Sequence, residues 1–118
     1  MTSPFSTSTE SAETGPILTV RGELDVATAP RLRARIGELV LAAGQLLVVD
    51  LAGVTFCDSS GISALIAARN AAEAAEAAIA LVAVPARLTR TFALTGLSDF
   101  FPAYATAEEA VRQRQGGR

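Results

Sequence analysis

The most marked hydrophobic pattern in the chain is an apolar run over residues 46–51, interrupted by a single aspartate. The run is rich in leucine and valine and lacks alternating polar positions, so it predicts a strand covered by helices on both faces. From residue 60 onward the period changes, and Ile62, Leu65 and Ile66 fall at helical spacing. The pattern therefore predicts a buried strand, a short polar junction over residues 56–61, and a helix.

Upstream of this unit, residues 17–22 predict a strand that is followed by a polar turn ending at Asp25. Thr28 is the predicted N-cap of the next helix, with Pro30 in its first turn. Gly44 is the predicted residue that ends this helix. Its apolar face is predicted to consist of Leu32, Ile36, Leu39 and Val40.

Downstream, the helix after the junction is predicted to continue through Asn70 into the alanine-rich residues 71–78. Residues 79–84 predict a further buried strand that Pro85 stops. A short helix should then place its two large apolar side chains, Leu88 and Phe92, on one face and end near Gly96.

The last elements are a strand and a helix. Residues 100–105 predict a frayed strand, and Pro102 favours an edge position because proline donates no ladder hydrogen bond. A capping box formed by Thr106 and Glu109 predicts the start of a final helix, with Val111 facing inward.

Strands that alternate with helices through short connections predict an α/β fold. We expect one domain with a mixed, mostly parallel sheet of about four or five strands and about four helices. The predicted boundaries are a flexible N-terminal segment over residues 1–14, the folded domain over 15–113, and a disordered tail over 114–118. An alternative for the first segment is a weak edge strand with Phe5 inward.

The junction combines Asp58, Ser59, Ser60 and Gly61 with the first turn of a helix. The first N–H groups of a helix have no partner within it, and the aligned peptide dipoles favour negative charge there. One hypothesis makes either serine the N-cap and Asp58 a favourable first-turn charge. The other makes the spare serine hydroxyl an acceptor for a phosphate group.

The composition excludes several kinds of chemistry. The chain has no histidine and no lysine, which rules out Ser-His-Asp and Ser-Lys catalytic sites. With one cysteine it offers neither an internal disulfide nor a zinc-binding set. No glycine-rich phosphate loop follows a strand. We therefore expect no catalytic residues, no metal and no cofactor.

Two weaker alternatives involve residues near the junction. Asp25, Asp50 and Asp58 are carboxylates at predicted strand ends, where a magnesium site is conceivable, although the lysine that would accompany a phosphorylated aspartate is missing. Cys57 is expected to be a small core residue, with a redox role as the alternative.

Charge and hydropathy restrict the partners. The net charge is −2 and the pI is about 5.0, so no basic surface is expected to bind nucleic acid directly. Neither a signal-like start nor an apolar stretch near the ~20 residues of a membrane span is present. We expect a cytoplasmic protein that does not bind membranes and is a monomer or weak dimer.

Three stretches together resemble the STAS domain of bacterial anti-sigma factor antagonists: GELD followed by an ATAP helix start, VVDLAGVTFCDSSG, and LTGL before the last strand. The resemblance covers roughly residues 17–111, and the DSSG segment is its most specific part. It implies a single STAS domain.

The resemblance implies a phosphorylation-controlled binding protein rather than an enzyme. In that family the unmodified protein binds an anti-sigma factor of the histidine-kinase-like ATPase type, which frees a sigma factor. The anti-sigma factor phosphorylates the first serine of the pair, here Ser59, and a serine phosphatase restores the protein. Asp25, Asp58, Ser60 and Gly61 correspond to the partner-binding surface.

Two alternatives to this function remain. A STAS scaffold, or a subunit of a lipid-transport ATPase or signalling complex, would use the DSSG segment only to cap its helix. A small enzyme has no support in the sequence beyond the serine itself.

Overall fold

The predicted alternation of strands and helices is present in the computed structural model, which describes residues 4–116. The strands are β1 (Ser6–Ala12), β2 (Gly15–Leu24), β3 (Leu46–Cys57), β4 (Ala78–Val82) and β5 (Ala103–Tyr104). The helices are α1 (Ala29–Glu38), α2 (Ser59–Ala74), α3 (Ala86–Thr95) and α4 (Ala107–Gly116). None of the helices in this part of the chain is long and apolar enough to cross a membrane.

The strands form one mixed sheet in the order β1-β2-β3-β4-β5. The β1–β2 hairpin is antiparallel, and the other three pairs are parallel because helices connect their strands. This arrangement confirms the predicted α/β fold with a mostly parallel sheet. The central position of β3 also explains why its first half is a continuous apolar run.

The two faces of the sheet carry separate cores. On the face covered by α1 and α2, the side chains of Leu47, Val49 and Leu51 are fully buried. On the opposite face, Leu46 and Val48 pack in a smaller cluster that includes Ala110 of α4. Burial on both faces confirms the prediction for residues 46–51.

Strand β3 continues beyond the predicted end, and this extension positions the junction. Its pairing with β4 ends at Asp50 opposite Val82, whereas its pairing with β2 continues to Cys57. Asp50 therefore lies within the strand and does not finish it, since β2 and β3 remain paired beyond it, with two register shifts along the way. Within residues 4–116, residues 51–57 pair with β2 along one edge and have no strand along the other.

Helix α1 is shorter than predicted. It ends at Glu38, and Leu39 adopts an extended conformation, so Gly44 does not end the helix. Gly44 instead has a φ of +84° in the turn that precedes β3. Leu39 is half-buried and packs against the core, whereas Val40 is 88% exposed and does not belong to the apolar face.

Helix α2 continues through Asn70 into the alanine-rich residues 71–78, as predicted, and ends within them at Ala74. Glu76 takes the left-handed conformation with a φ of 59°, and the Ala77 N–H donates to Ala72 O at 2.8 Å. These features define a Schellman cap, in which the left-handed residue is usually glycine. The sequence shows no glycine there, which is why the pattern does not indicate the residue at which the helix ends.

The N-terminal segment forms an edge strand with Phe5 inward, which is the alternative given for residues 1–14, and not a flexible segment. Strand β1 occupies Ser6–Ala12, and Phe5 just before it is 9% exposed. The Arg31 guanidinium lies 5.0 Å from the Phe5 ring centroid, and Arg35 Nε donates to Thr7 Oγ1 at 3.2 Å. Helix α1 thus stabilises a strand that has little apolar content of its own. Residues 1–3 lie outside the described part.

The remaining elements agree with most of the sequence pattern. Strand β4 ends at Val82 and not at residue 84, since Ala83 has a φ of 54° and leaves the sheet. Leu88 and Phe92 of α3 are buried, and Gly96 ends that helix in the left-handed conformation. The last strand is reduced to Ala103–Tyr104 at the sheet edge, because residues 98–100 form a 3-10 turn.

The final helix begins as predicted and extends further. The Glu109 N–H donates to Thr106 Oγ1 at 3.1 Å, as expected for a cap, and Val111 packs against the smaller core cluster. Helix α4 continues to Gly116, so residues 114–116 are helical and not part of a disordered tail. Arg114 helps to hold this end, donating to Gly44 O at 3.1 Å. Residues 117–118 lie outside the described part.

We predict that Phe5→Ala lowers the free energy of unfolding by about 3 kcal/mol, as for other buried phenylalanines. It should also speed amide hydrogen exchange in β1, because Phe5 and Arg31 hold that strand against α1. Phe100→Ala is the matched control: Phe100 is 41% exposed, so a loss below about 1 kcal/mol is expected. Equal losses in urea denaturation would contradict the anchoring role of Phe5.

Candidate functional site: the carboxyl ends of β2 and β3

The site lies where β2 and β3 end side by side. Leu24 is paired with Cys57, and the Asp58 N–H donates to Leu24 O at 3.2 Å. Asp25 directly follows β2 and Asp58 directly follows β3, so the pairing of the strand ends places the two aspartates next to each other. The carboxyl ends of parallel strands are the usual place for functional residues in α/β sheets.

Asp58 is the N-cap of α2. One carboxylate oxygen, Oδ1, accepts from the Ser60 N–H at 2.9 Å and the Gly61 N–H at 3.2 Å, while Asp58 O accepts from the Ile62 N–H at 3.0 Å. Three of the first four N–H groups of the helix are thereby satisfied. The hypothesis that a serine caps the helix is wrong, because the aspartate has taken that position.

The hydroxyl groups of Ser59 and Ser60 take no part in capping the helix. Within residues 4–116, neither Ser59 Oγ nor Ser60 Oγ makes a hydrogen bond. Ser59 is the first residue of α2 and is exposed, whereas Ser60 is half-buried. Of the two, Ser59 is the hydroxyl that another protein can reach.

Gly61 sets the position of the helix start. A Cβ atom at this residue would lie 2.7 Å from Cys57 Sγ, 2.7 Å from Leu24 Cγ and 2.9 Å from Leu24 O. Any side chain there would push α2 away from the ends of β2 and β3. Gly61 is buried, so its contribution to the surface is the placement of its neighbours.

Asp25 organises the turn before α1. Its Oδ1 accepts from the Ala27 N–H at 3.0 Å and the Thr28 N–H at 3.1 Å. The Thr28 hydroxyl donates to Glu23 O at 2.7 Å and accepts from the Asp25 N–H at 2.9 Å. Thr28 is thus the residue before the helix, as predicted, but its side chain does not cap the helix and instead holds the turn.

The aspartates do not form a metal centre. Asp50 Oδ1 accepts from the Ala52 N–H at 3.0 Å, seven residues before the end of β3, and does not join Asp25 and Asp58. In the described part of the chain, no three acidic, cysteine or histidine side chains converge as metal ligands. The carboxylates of Asp25 and Asp58 instead make this end of the sheet acidic.

Two exposed apolar residues flank the acidic pair, and the sequence pattern did not single them out as surface residues. Val26 is 74% exposed on the turn that Asp25 and Thr28 hold, and Phe56 is 45% exposed two residues before Asp58. In the sequence, each is an apolar residue next to a polar turn. That position is the signal by which sequence reasoning could have found these surface residues. Exposed apolar side chains beside a polar site are typical of protein-binding surfaces.

Cys57 lies beneath the junction and its thiol is protected. Burial of the thiol, together with the smaller effect of the Asp58 carboxylate, raises the pKa of Cys57 to about 11. Its Sγ lies 3.6 Å from Asp58 O, at the limit of a weak hydrogen bond. Such a thiol is largely protonated at neutral pH, which favours the predicted core role over a redox role.

These features define a small α/β domain with an acidic, partly apolar surface at the ends of β2 and β3. The chain belongs to the STAS domain family, whose model matches residues 7–110. This membership confirms the resemblance inferred from the sequence.

The relatives carry names that refer to sigma-factor regulation. The chain is 32% identical to an anti-sigma-B factor antagonist of Listeria monocytogenes, over 68% of this chain and 70% of that protein. It is also 32% identical to the anti-sigma-F factor antagonist RsfB of Mycobacterium tuberculosis, over 86% and 83% of the two chains. A crystal structure of an anti-sigma factor antagonist from Mycobacterium paratuberculosis superposes with a TM-score of 0.80, at 32% identity and 95% coverage of both chains.

We predict that Asp58→Ala lowers the free energy of unfolding by about 1 kcal/mol, the usual effect of losing an N-cap. Ser59→Ala should change it by less than about 0.5 kcal/mol, because the hydroxyl is exposed and makes no hydrogen bond. Asp58→Asn keeps an oxygen for capping and serves as the conservative control. Urea denaturation of the three variants measures these free energies of unfolding. A larger decrease for Ser59→Ala than for Asp58→Ala would contradict the assignment of Asp58 as the N-cap.

We also predict a pH dependence for alkylation of Cys57 by iodoacetamide. The thiolate is the reactive form, so in the folded protein the rate should rise only as the pH approaches about 11. In urea it should rise at the ordinary thiol pKa. Asp58→Asn should shift the folded profile to lower pH, because it removes a negative charge that disfavours the thiolate. A folded profile equal to that of the unfolded chain would refute the protection.

Proposed function

We propose that the protein is an anti-sigma factor antagonist whose binding is switched off by phosphorylation of Ser59. The observation that carries the proposal is that the N-cap of α2 and the exposed hydroxyl at its start belong to different residues. Asp58 satisfies the helix N-terminus, which leaves the exposed Ser59 hydroxyl free for modification. The names of the 32% identical relatives support the same function.

The partner is an anti-sigma factor of the histidine-kinase-like ATPase type. In the unmodified state this protein binds it, and the sigma factor is released. The anti-sigma factor then uses Mg-ATP to phosphorylate Ser59: the hydroxyl oxygen bonds to the γ-phosphorus, the bond to ADP breaks, and the hydroxyl proton passes to a base of the kinase. A serine phosphatase hydrolyses the phosphoserine and restores binding.

The proposed binding surface combines the acidic pair with the apolar residues beside it. Asp25 Oδ1 is engaged within its own turn, so Oδ2 is the atom offered to a partner. Val26 stands on that same fixed turn, which lets its side chain be buried at little cost in conformational entropy. Asp58, Ser60 and Gly61 complete the surface, mainly by fixing the backbone around Ser59.

The switch works through charge and not through unfolding. A phosphate adds about −1.5 to −2 charges at neutral pH. The helix N–H groups that would otherwise donate to it already donate to Asp58, so the phosphate stays at the surface beside two carboxylates. A partner that fits a neutral serine would then have to bury an extra dianion, and a 100-fold loss of affinity corresponds to about 2.7 kcal/mol.

The proposal predicts one phosphate on Ser59. The protein is incubated with Mg-ATP and each purified anti-sigma ATPase of its own genome, and intact mass and peptide mapping are recorded. A mass increase of a single phosphate should occur in the wild type and in Ser60→Ala, the matched control, and be absent in Ser59→Ala. The wild type should retain its unfolding free energy after modification.

The same partner tests the effect on binding. Ser59→Glu should weaken binding of that ATPase by about 100-fold, while Ser59→Ala should bind as the wild type does, because alanine keeps the surface uncharged. Phosphate on Ser60, or binding that is unchanged in Ser59→Glu, would contradict the switch. The second outcome would support a scaffold in its place.

A further inference from the structure

The second half of β3 has a free edge that faces a cavity. Pairing with β4 stops at Asp50, so along residues 53–57 the side of β3 away from β2 has no neighbouring strand from residues 4–116. β4 cannot continue there, since Ala83 turns away and its N–H donates to Tyr104 O at 3.0 Å. A strand edge without a neighbour presents backbone N–H and C=O groups in the pattern that a further strand needs.

Helix α3 bounds this edge at a distance and leaves a cavity of about 260 Å³ between the two elements. The floor is apolar, with Val54 at 7% and Leu88 at 5% exposure, and Phe56 forms part of the wall. The remaining lining residues are Thr55, Cys57, Pro85, Arg87 and Thr91. The cavity has the size of one large side chain, and none of its lining residues is acidic.

The charge at the rim indicates what the cavity would accept. Arg87 is exposed, and within residues 4–116 its guanidinium has no carboxylate within 4.0 Å and makes no hydrogen bond. A carboxylate on an incoming segment would supply the missing partner, and guanidinium groups bind carboxylates in a fixed geometry. The rim therefore favours an acidic over a basic ligand.

We propose that the edge of β3 over residues 53–57 binds an extended acidic segment of a protein partner, which adds to the sheet as a strand. The segment places a carboxylate against Arg87 and a large apolar side chain over Val54 and Leu88. Main-chain hydrogen bonds supply affinity, and the cavity and the arginine select the sequence. Ser59 does not line the cavity, so the segment binds without contacting the proposed phosphorylation site, while Phe56 belongs to both surfaces.

A capped hexapeptide of sequence TVELTV is the probe, titrated to millimolar concentration into the ¹⁵N-labelled full chain. Amide shifts should change along residues 53–57 and at the start of α3. A peptide N-methylated at its glutamate and leucine loses two adjacent N–H donors, one of which faces β3 in a paired strand, and should not bind. The peptide TVKLTV, which differs only in charge, should bind about tenfold more weakly than TVELTV.

Arg87→Glu should weaken binding of TVELTV about tenfold and improve binding of TVKLTV. Arg90→Glu is the matched control, because Arg90 is exposed on the same helix but does not line the cavity, and it should change either affinity less than twofold. Both arginines are exposed, so both variants should fold as the wild type does.

Three results would overturn the proposal. The first is an absence of shift changes along residues 53–57. The second is equal binding of the N-methylated peptide, which would mean that a side chain occupies the cavity without strand addition. The third is a concentration-dependent change at the same amides without any peptide, which would assign the edge to self-association.

Discussion

The organisation of the site depends on one set of hydrogen bonds, those between the Asp58 carboxylate and the first N–H groups of α2. A helix N-terminus in this position would otherwise attract any nearby anion or hydroxyl. Because Asp58 Oδ1 accepts from Ser60 and Gly61, the serine side chains have no part in holding the helix. The residue that stabilises the junction and the residue proposed to be modified are therefore different.

The rest of the fold keeps this arrangement in place. The Leu24–Cys57 pairing brings the ends of β2 and β3 together, and Gly61 allows α2 to pack directly on them. Asp25 and Thr28 fix the neighbouring turn by their own hydrogen bonds. A surface supported in this way can change its charge without changing its shape, which is what a phosphorylation-controlled binding protein requires.

Much of the architecture could be predicted from the sequence because the apolar runs determine where most strands and helices form. The buried first half of β3, the start of α2 and the end of α3 at Gly96 follow from hydrophobic period and cap chemistry. The cap itself could not be chosen, since aspartate and serine are about equally good N-caps and stand in adjacent positions. Only the geometry distinguishes Asp58 from the two serines.

Other features were missed, or were predicted only as an alternative, because the local pattern carries little signal for them. Strand β1 is almost entirely polar, and its place in the sheet depends on contacts of Phe5 and Thr7 with arginines of α1. Helix α2 ends at Ala74, and the left-handed position after it is occupied by Glu76. A glycine there would have indicated the end of the helix. The free edge of β3 arises from the early departure of β4 at Ala83, a tertiary feature that strand pattern alone does not predict.

The most direct test of the account is amide hydrogen exchange at Ser60 and Gly61 in protein carrying phosphoserine at position 59, compared with unmodified protein. If the switch works by charge on an unchanged scaffold, both amides should exchange as slowly in the modified protein, because Asp58 still accepts their hydrogen bonds. Faster exchange at both amides would contradict it, since the phosphate would then have disrupted the helix start and acted through structure.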